Sequence, residues 1–129
     1  MRIFLIVAAL IAAYVFYHDH ASKADQNAFY ELVSELDTRP INQFEIKNSL
    51  NKQVKARCKS LAHDDGQIEK MNECLEMHES YQAECELKIF RLAPVEFENE
   101  NEAVDYGKRY QKCLFNKRFS FLIDSPTTL

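Results

Sequence analysis

The stretch CLEMHESYQAEC, residues 74–85, has a cysteine at each end and His78, Met77 and Tyr81 between them. It reads as a metal site, a thiol redox centre or one side of a disulfide framework, and spacing decides among the three. Eleven positions rise about 16 Å along a helix, whereas the α-carbons of a disulfide stand roughly 4.4–6.8 Å apart. Cys74 and Cys85 therefore cannot pair inside a continuous helix.

The helix itself is well marked. His63-Asp64-Asp65-Gly66 supplies turn formers, and from there Ile68, Met71, Leu75, His78, Gln82, Cys85, Ile89 and Leu92 share a face until Pro94 intervenes. The midpoint of Cys58 and Cys74 is residue 66, in that turn. The midpoint of Cys85 and Cys113 is residue 99, where Asn99 and Glu102 form a capping signal. Two antiparallel hairpins then bring Cys58 opposite Cys74 and Cys85 opposite Cys113. The crossed pairing, Cys58 with Cys85 and Cys74 with Cys113, is the alternative.

Working outward, Ser22 and Asp25 suggest a capping box opening a helix to about Asp37, with Phe29, Leu32, Val33 and Leu36 on its inner face. After Arg39-Pro40, a helix over residues 43–62 buries Ile46, Leu50, Val54, Cys58 and Leu61. The last helix carries Ala103, Tyr106 or Gly107, Tyr110, Cys113, Leu114 and Lys117 inward. Charge alternates along the chain. Lys47, Lys52, Lys55, Arg57 and Lys59 have no acid between them, residues 64–88 carry eight acids and two bases, and residues 106–118 carry five bases and no acid. A basic-acidic-basic order suits consecutive antiparallel neighbours.

The start, MRIFLIVAALIAAYVFYHDH, places Arg2 before 15 uncharged residues, Ile3 to Tyr17. As a helix these span about 22 Å, short of the roughly 30 Å hydrocarbon thickness. Two readings stay open for residues 1–21: an uncleaved signal anchor, with Tyr14 and Tyr17 at the far interface and Arg2 in the cytoplasm, or a signal peptide cleaved after Ser22-Lys23-Ala24. Either sends the domain of residues 22–124 across a membrane, leaving 125–129 as a loose tail. Without a second span, the chain alone is no multi-span channel or transporter.

Several chemistries lack their equipment. No CxxC half-site supports a zinc site or a thioredoxin-like dithiol, and no CxxCH signals a covalent haem. Met77 and His78 point about 100° apart on a helix, which is poor copper geometry. His63 in its turn and His18-Asp19-His20 at the membrane exit read as polar structure. Glu96, Glu98, Glu100 and Glu102 do not follow a calcium-loop pattern, and the two glycines cannot build a phosphate loop. A formal net charge of −4 and an exported location oppose nucleic-acid binding.

The expected architecture is all-α: an N-terminal membrane-targeting helix followed by a small four-helix domain of disulfide-linked antiparallel hairpins. The expected function is a non-enzymatic binding or assembly subunit without cofactor, on the exported face of a membrane. A short chain with a minimal basic n-region favours a bacterial inner membrane facing the periplasm. Its partner is another envelope or membrane protein, or anionic lipid headgroups. Lys108, Arg109, Lys112, Phe115, Phe119 and Phe121 are the interface candidates, because basic and aromatic groups alternate there. The alternatives are a secreted or periplasmic inhibitor or toxin-neutralising protein after cleavage, and a thiol- or metal-dependent envelope enzyme.

Overall fold

The structure, a computed structural model, describes residues 1–115, with residues 21–23 and 63–65 described by backbone only. The chain is all-α. Helix α1 spans Arg2–Asp25, α2 Ala28–Ser34, α3 Gln43–Asp65, α4 Ile68–Phe90 and α5 Glu100–Phe115. A 3₁₀ turn, Glu35–Asp37, follows α2, and two strands, β1 Ile41–Asn42 and β2 Glu96–Phe97, join the interhelical connections.

One boundary moves. The capping box expected at Ser22 is not a helix start, because α1 runs unbroken through it to Asp25 and α2 begins only at Ala28. No glycine or proline lies in residues 2–25 to stop it. The 24-residue helix is about 36 Å long, so the apolar segment continues into a polar final turn. Residues 2–20 form a helix long and apolar enough to cross a membrane, and none of it is buried among the described residues.

The two strands went unseen in the sequence because two residues carry no measurable alternation. Ile41 pairs with Phe97 and Asn42 with Glu96, antiparallel. Gln43 N donates to Val95 O at 2.8 Å. Asn42 then opens α3 with a capping box: its side chain accepts from Glu45 N at 2.9 Å, and the Glu45 carboxylate accepts from Asn42 N at 3.2 Å. Arg39 fastens this corner from outside, with Nη2 2.7 Å from Glu35 and 3.0 Å from Glu45. That charge-assisted contact raises the guanidinium pKa and lowers that of Glu45.

Gly66 ends α3 in the left-handed region, φ 64°, and Gln67 N closes the turn on Leu61 O at 3.0 Å. The chain reverses into α4, and the Cys58–Cys74 disulfide ties the two helices with α-carbons 5.5 Å apart. Cys85–Cys113 ties α4 to α5 at 5.8 Å. These are the two hairpins that the cysteine midpoints predict. The crossed pairing is not formed.

The core takes Phe29 and Val33 from α2, Ile41 and Phe97 from the strands, and Ile46, Leu50, Val54 and Leu61 from α3. Phe90 comes from α4, and Ala103, Tyr110, Leu114 and Phe115 from α5. Gly107 is buried, and Tyr106 beside it is half-buried with its ring packed on the core residues Phe90 and Phe97. At the ends of α4 the expected face is not covered: Ile68 and Leu92 are exposed. Helix α4 stops at Phe90, before the Leu92 turn of the pattern is reached.

Candidate interaction surface

All four cysteines are paired in disulfides. Among the described residues, no group of three or more His, Cys, Asp or Glu converges to hold a metal ion. Glu96, Glu98, Glu100 and Glu102 are all exposed.

His78 is buried, at 1% exposure. Its helical position aims it at α3, where Nε2 lies 2.9 Å from Asn51 Oδ1. The same oxygen accepts the Tyr110 hydroxyl from α5. Asn51 Nδ2 donates to Glu86 at 2.7 Å, and Gln82 Nε2 donates to the same Glu86 oxygen at 3.1 Å. An acceptor facing Nε2 fixes the proton there, so the imidazole sits neutral with Nε2–H donating. Burial depresses the His78 pKa, with Lys55 adding to the effect and Glu86 and Glu79 opposing it. Burial pushes Tyr110 up, well beyond the ordinary tyrosine range. Asn51 thereby joins three helices through one side chain, where the sequence offered only a histidine among carboxylates. The arrangement is a hydrogen-bonded polar tie across α3, α4 and α5.

A second buried group changes the reading of the basic run on α3. Arg57 is 3% exposed, so the five bases between Lys47 and Lys59 do not share one solvated face. Its Nε donates to Gln26 O at 2.8 Å, Nη2 lies 3.5 Å from Asn27 Oδ1, and the guanidinium carbon stands 5.8 Å from the Tyr30 ring centre. Desolvation lowers its pKa, but a guanidinium remains charged at any physiological pH. Next to it, Gln53 Oε1 accepts Phe29 N at 3.1 Å, and Lys52 Nζ lies 3.4 Å from Asp25. These contacts fasten the α1–α2 junction to α3.

Of the interface candidates, Lys108, Arg109 and Lys112 are exposed on α5. Arg109 pairs with Asp105 at 3.0 Å on its own helix, and its guanidinium lies 4.2 Å over the Tyr106 ring. Phe115 is a correction: it is fully buried, because the 3.6-residue period that places Tyr110, Gln111 and Leu114 inward carries it with them. Phe119 and Phe121 lie outside the described residues, as do Lys117, the expected end of the domain at residue 124 and the tail of residues 125–129.

Sequence reasoning passed over an exposed apolar group at the strand end of the domain. Phe44, Leu92 and Val95 are 68%, 85% and 80% exposed. The bond from Gln43 N to Val95 O and those from Gln43 Nε2 to Phe90 O and Ala93 O place all three at one corner. Phe44 lies two positions before Ile46 and so on the far side of the α3 wheel, a signal the sequence did carry. No protein-family model, curated protein or solved structure matches the chain.

Proposed function

We propose that the protein is a non-enzymatic binding or assembly subunit, held in a membrane by α1 and displaying its cystine-linked body on the exported face. The observation that carries this reading is the contrast within α1. Its residues 2–20 are apolar enough to cross a membrane and none of that stretch is buried among the described residues, while the junction just beyond is fixed to the body by Arg57. An exposed apolar face of that length calls for lipid, and two closed disulfides suit an oxidising compartment. The orientation we assign has Arg2 in the cytoplasm and the body outside, on the periplasmic side of a bacterial inner membrane.

The partner in this reading is another envelope protein meeting Lys108, Arg109 and Lys112 on α5. A photoreactive residue at position 112 tests it in membranes that are solubilised gently after irradiation. A discrete adduct that disappears in Lys108→Gln/Arg109→Gln supports the reading. Recovery of the protein alone from every preparation overturns it.

A second reading is favoured by one feature of the junction. Cleavage after Ala24 would leave Gln26 and Asn27 in place on Arg57, so a freed body would keep its N-terminal fastening and serve as a secreted inhibitor or toxin-neutralising protein. The mass of the mature chain separates the two: an intact chain supports the anchor, and loss of 24 residues supports secretion.

A further inference from the structure

Three lysines of α3 are absorbed neither by the core nor by the α5 interface. Lys52, Lys55 and Lys59 are exposed. Their spacing places them on the outward face of α3, opposite Leu50, Val54 and Leu61. No acidic residue occurs between Lys47 and Lys59. The row begins where α1 ends, since Lys52 Nζ lies 3.4 Å from Asp25.

The length of α1 sets the height of this row. Residues 2–20, 19 in all, rise about 28 Å, close to the hydrocarbon thickness of roughly 30 Å. From His20 to Asp25 the helix rises about 7.5 Å more, which is the depth of the headgroup layer on one side of a bilayer. Lys59 is displaced from Lys52 by about 10 Å along α3. Lys52, beside Asp25, therefore lies at headgroup depth, Lys55, about 4.5 Å further along α3, lies within one screening length of it, roughly 8 Å at physiological salt, and Lys59, a little beyond, has a flexible four-carbon stem to close the difference.

We infer that Lys52, Lys55 and Lys59 form a headgroup-binding row that seats the body on an anionic leaflet. This rests on the membrane reading of α1 above. Lipid is favoured over an acidic protein by continuity, because the row adjoins a helix whose own apolar surface calls for lipid in this reading. Asp25 offsets part of the Lys52 charge at the junction, leaving Lys55 and Lys59 as the outer contacts. Lysine suits this place, with a flexible stem lying along apolar surface and an ammonium among phosphates. The consequence is orientation: α1 fixes the depth of the body, and the row fixes which side of it faces the membrane, leaving α5 for a protein.

The test uses the full chain in nanodiscs of phosphatidylcholine alone and in discs containing phosphatidylglycerol, with amine-reactive labelling followed at each lysine. Labelling of Lys52, Lys55 and Lys59 should slow several-fold in the anionic discs and recover at high salt, while Lys108 and Lys112 keep their rates. Equal rates in the two discs overturn the inference. So does equal slowing of all five, which would describe diffuse attraction rather than a row. A chain that enters neither disc overturns the membrane reading and this inference together. The discs contain no other protein, so failure of the α5 interface leaves their result untouched.

Discussion

Phe29 occupies the space that a side chain at position 107 would need: a β-carbon on Gly107 would stand 2.6 Å from Phe29 Cζ and 2.7 Å from Cε1. The glycine lets α2 approach α5 across its edge. Replacing it by alanine should add about 1 kcal/mol of helix propensity and lose more than that to overpacking, which costs about 1–3 kcal/mol. Gly107→Ala should therefore lower the urea midpoint. Combined with Phe29→Leu, which removes both clashing atoms, it should cost less than the sum of the two single changes.

That contact also marks where the sequence stops being legible. The hairpins could be read because two cysteine midpoints fell on turn signals and four helices repeat apolar residues every three or four positions. Gly107 was only one of two choices for an inward position, since helical periodicity fixes a direction and says nothing about how near the neighbour comes. Arg57 was read with the lysines around it because charge counts do not separate a buried base from a solvated one. Asn51 carried no signal, as its role exists only when α4 and α5 bring His78 and Tyr110 to it. The N-terminus was legible as a long apolar helix, yet its continuation to Asp25 was hidden by polar residues that suggested a cap.

His78 gives stability a pH dependence of known sign. Its folded pKa lies below the ordinary 6.5 because burial opposes the imidazolium, so the unfolded chain binds the extra proton. The stabilisation is complete above pH 6.5 and is lost as the pH falls from there through the depressed folded value, at no more than about 1.4 kcal/mol per pH unit. Denaturant midpoints measured from pH 7.5 to 5 should decline, and the decline should be shallower in His78→Gln. An identical slope in the variant would assign the effect to other groups.

The two disulfides close loops with sequence separations of 16 and 28. Restriction of the unfolded chain predicts roughly 3–4 kcal/mol from each. Paired serine replacement of Cys58 and Cys74, or of Cys85 and Cys113, should lower unfolding free energy by comparable amounts. Peptide mapping without reductant should return only the links 58–74 and 85–113. A link between Cys74 and Cys85 would require α4 to be broken.

Arg57 should act locally more than globally. Removing a buried charge also removes its desolvation cost, so Arg57→Met need change the overall unfolding free energy little, even though hydrogen bonds made by a charged group contribute about 1.5–3 kcal/mol. What the methionine cannot do is hold Gln26 O and Asn27 Oδ1. Amide exchange at Asn27 and Phe29 should therefore speed up by an order of magnitude or more, while amides of α4 and α5 keep their protection. Arg57→Lys should fall between, because one ammonium lacks the guanidinium fork that reaches both groups. Uniform acceleration across all helices would mean that Arg57 supports the whole core instead. The local outcome would make residues 26–27 a hinge fastened by Arg57, with Gln53 and Lys52 holding its two flanks, through which the direction of α1 is transmitted to the cystine-linked body.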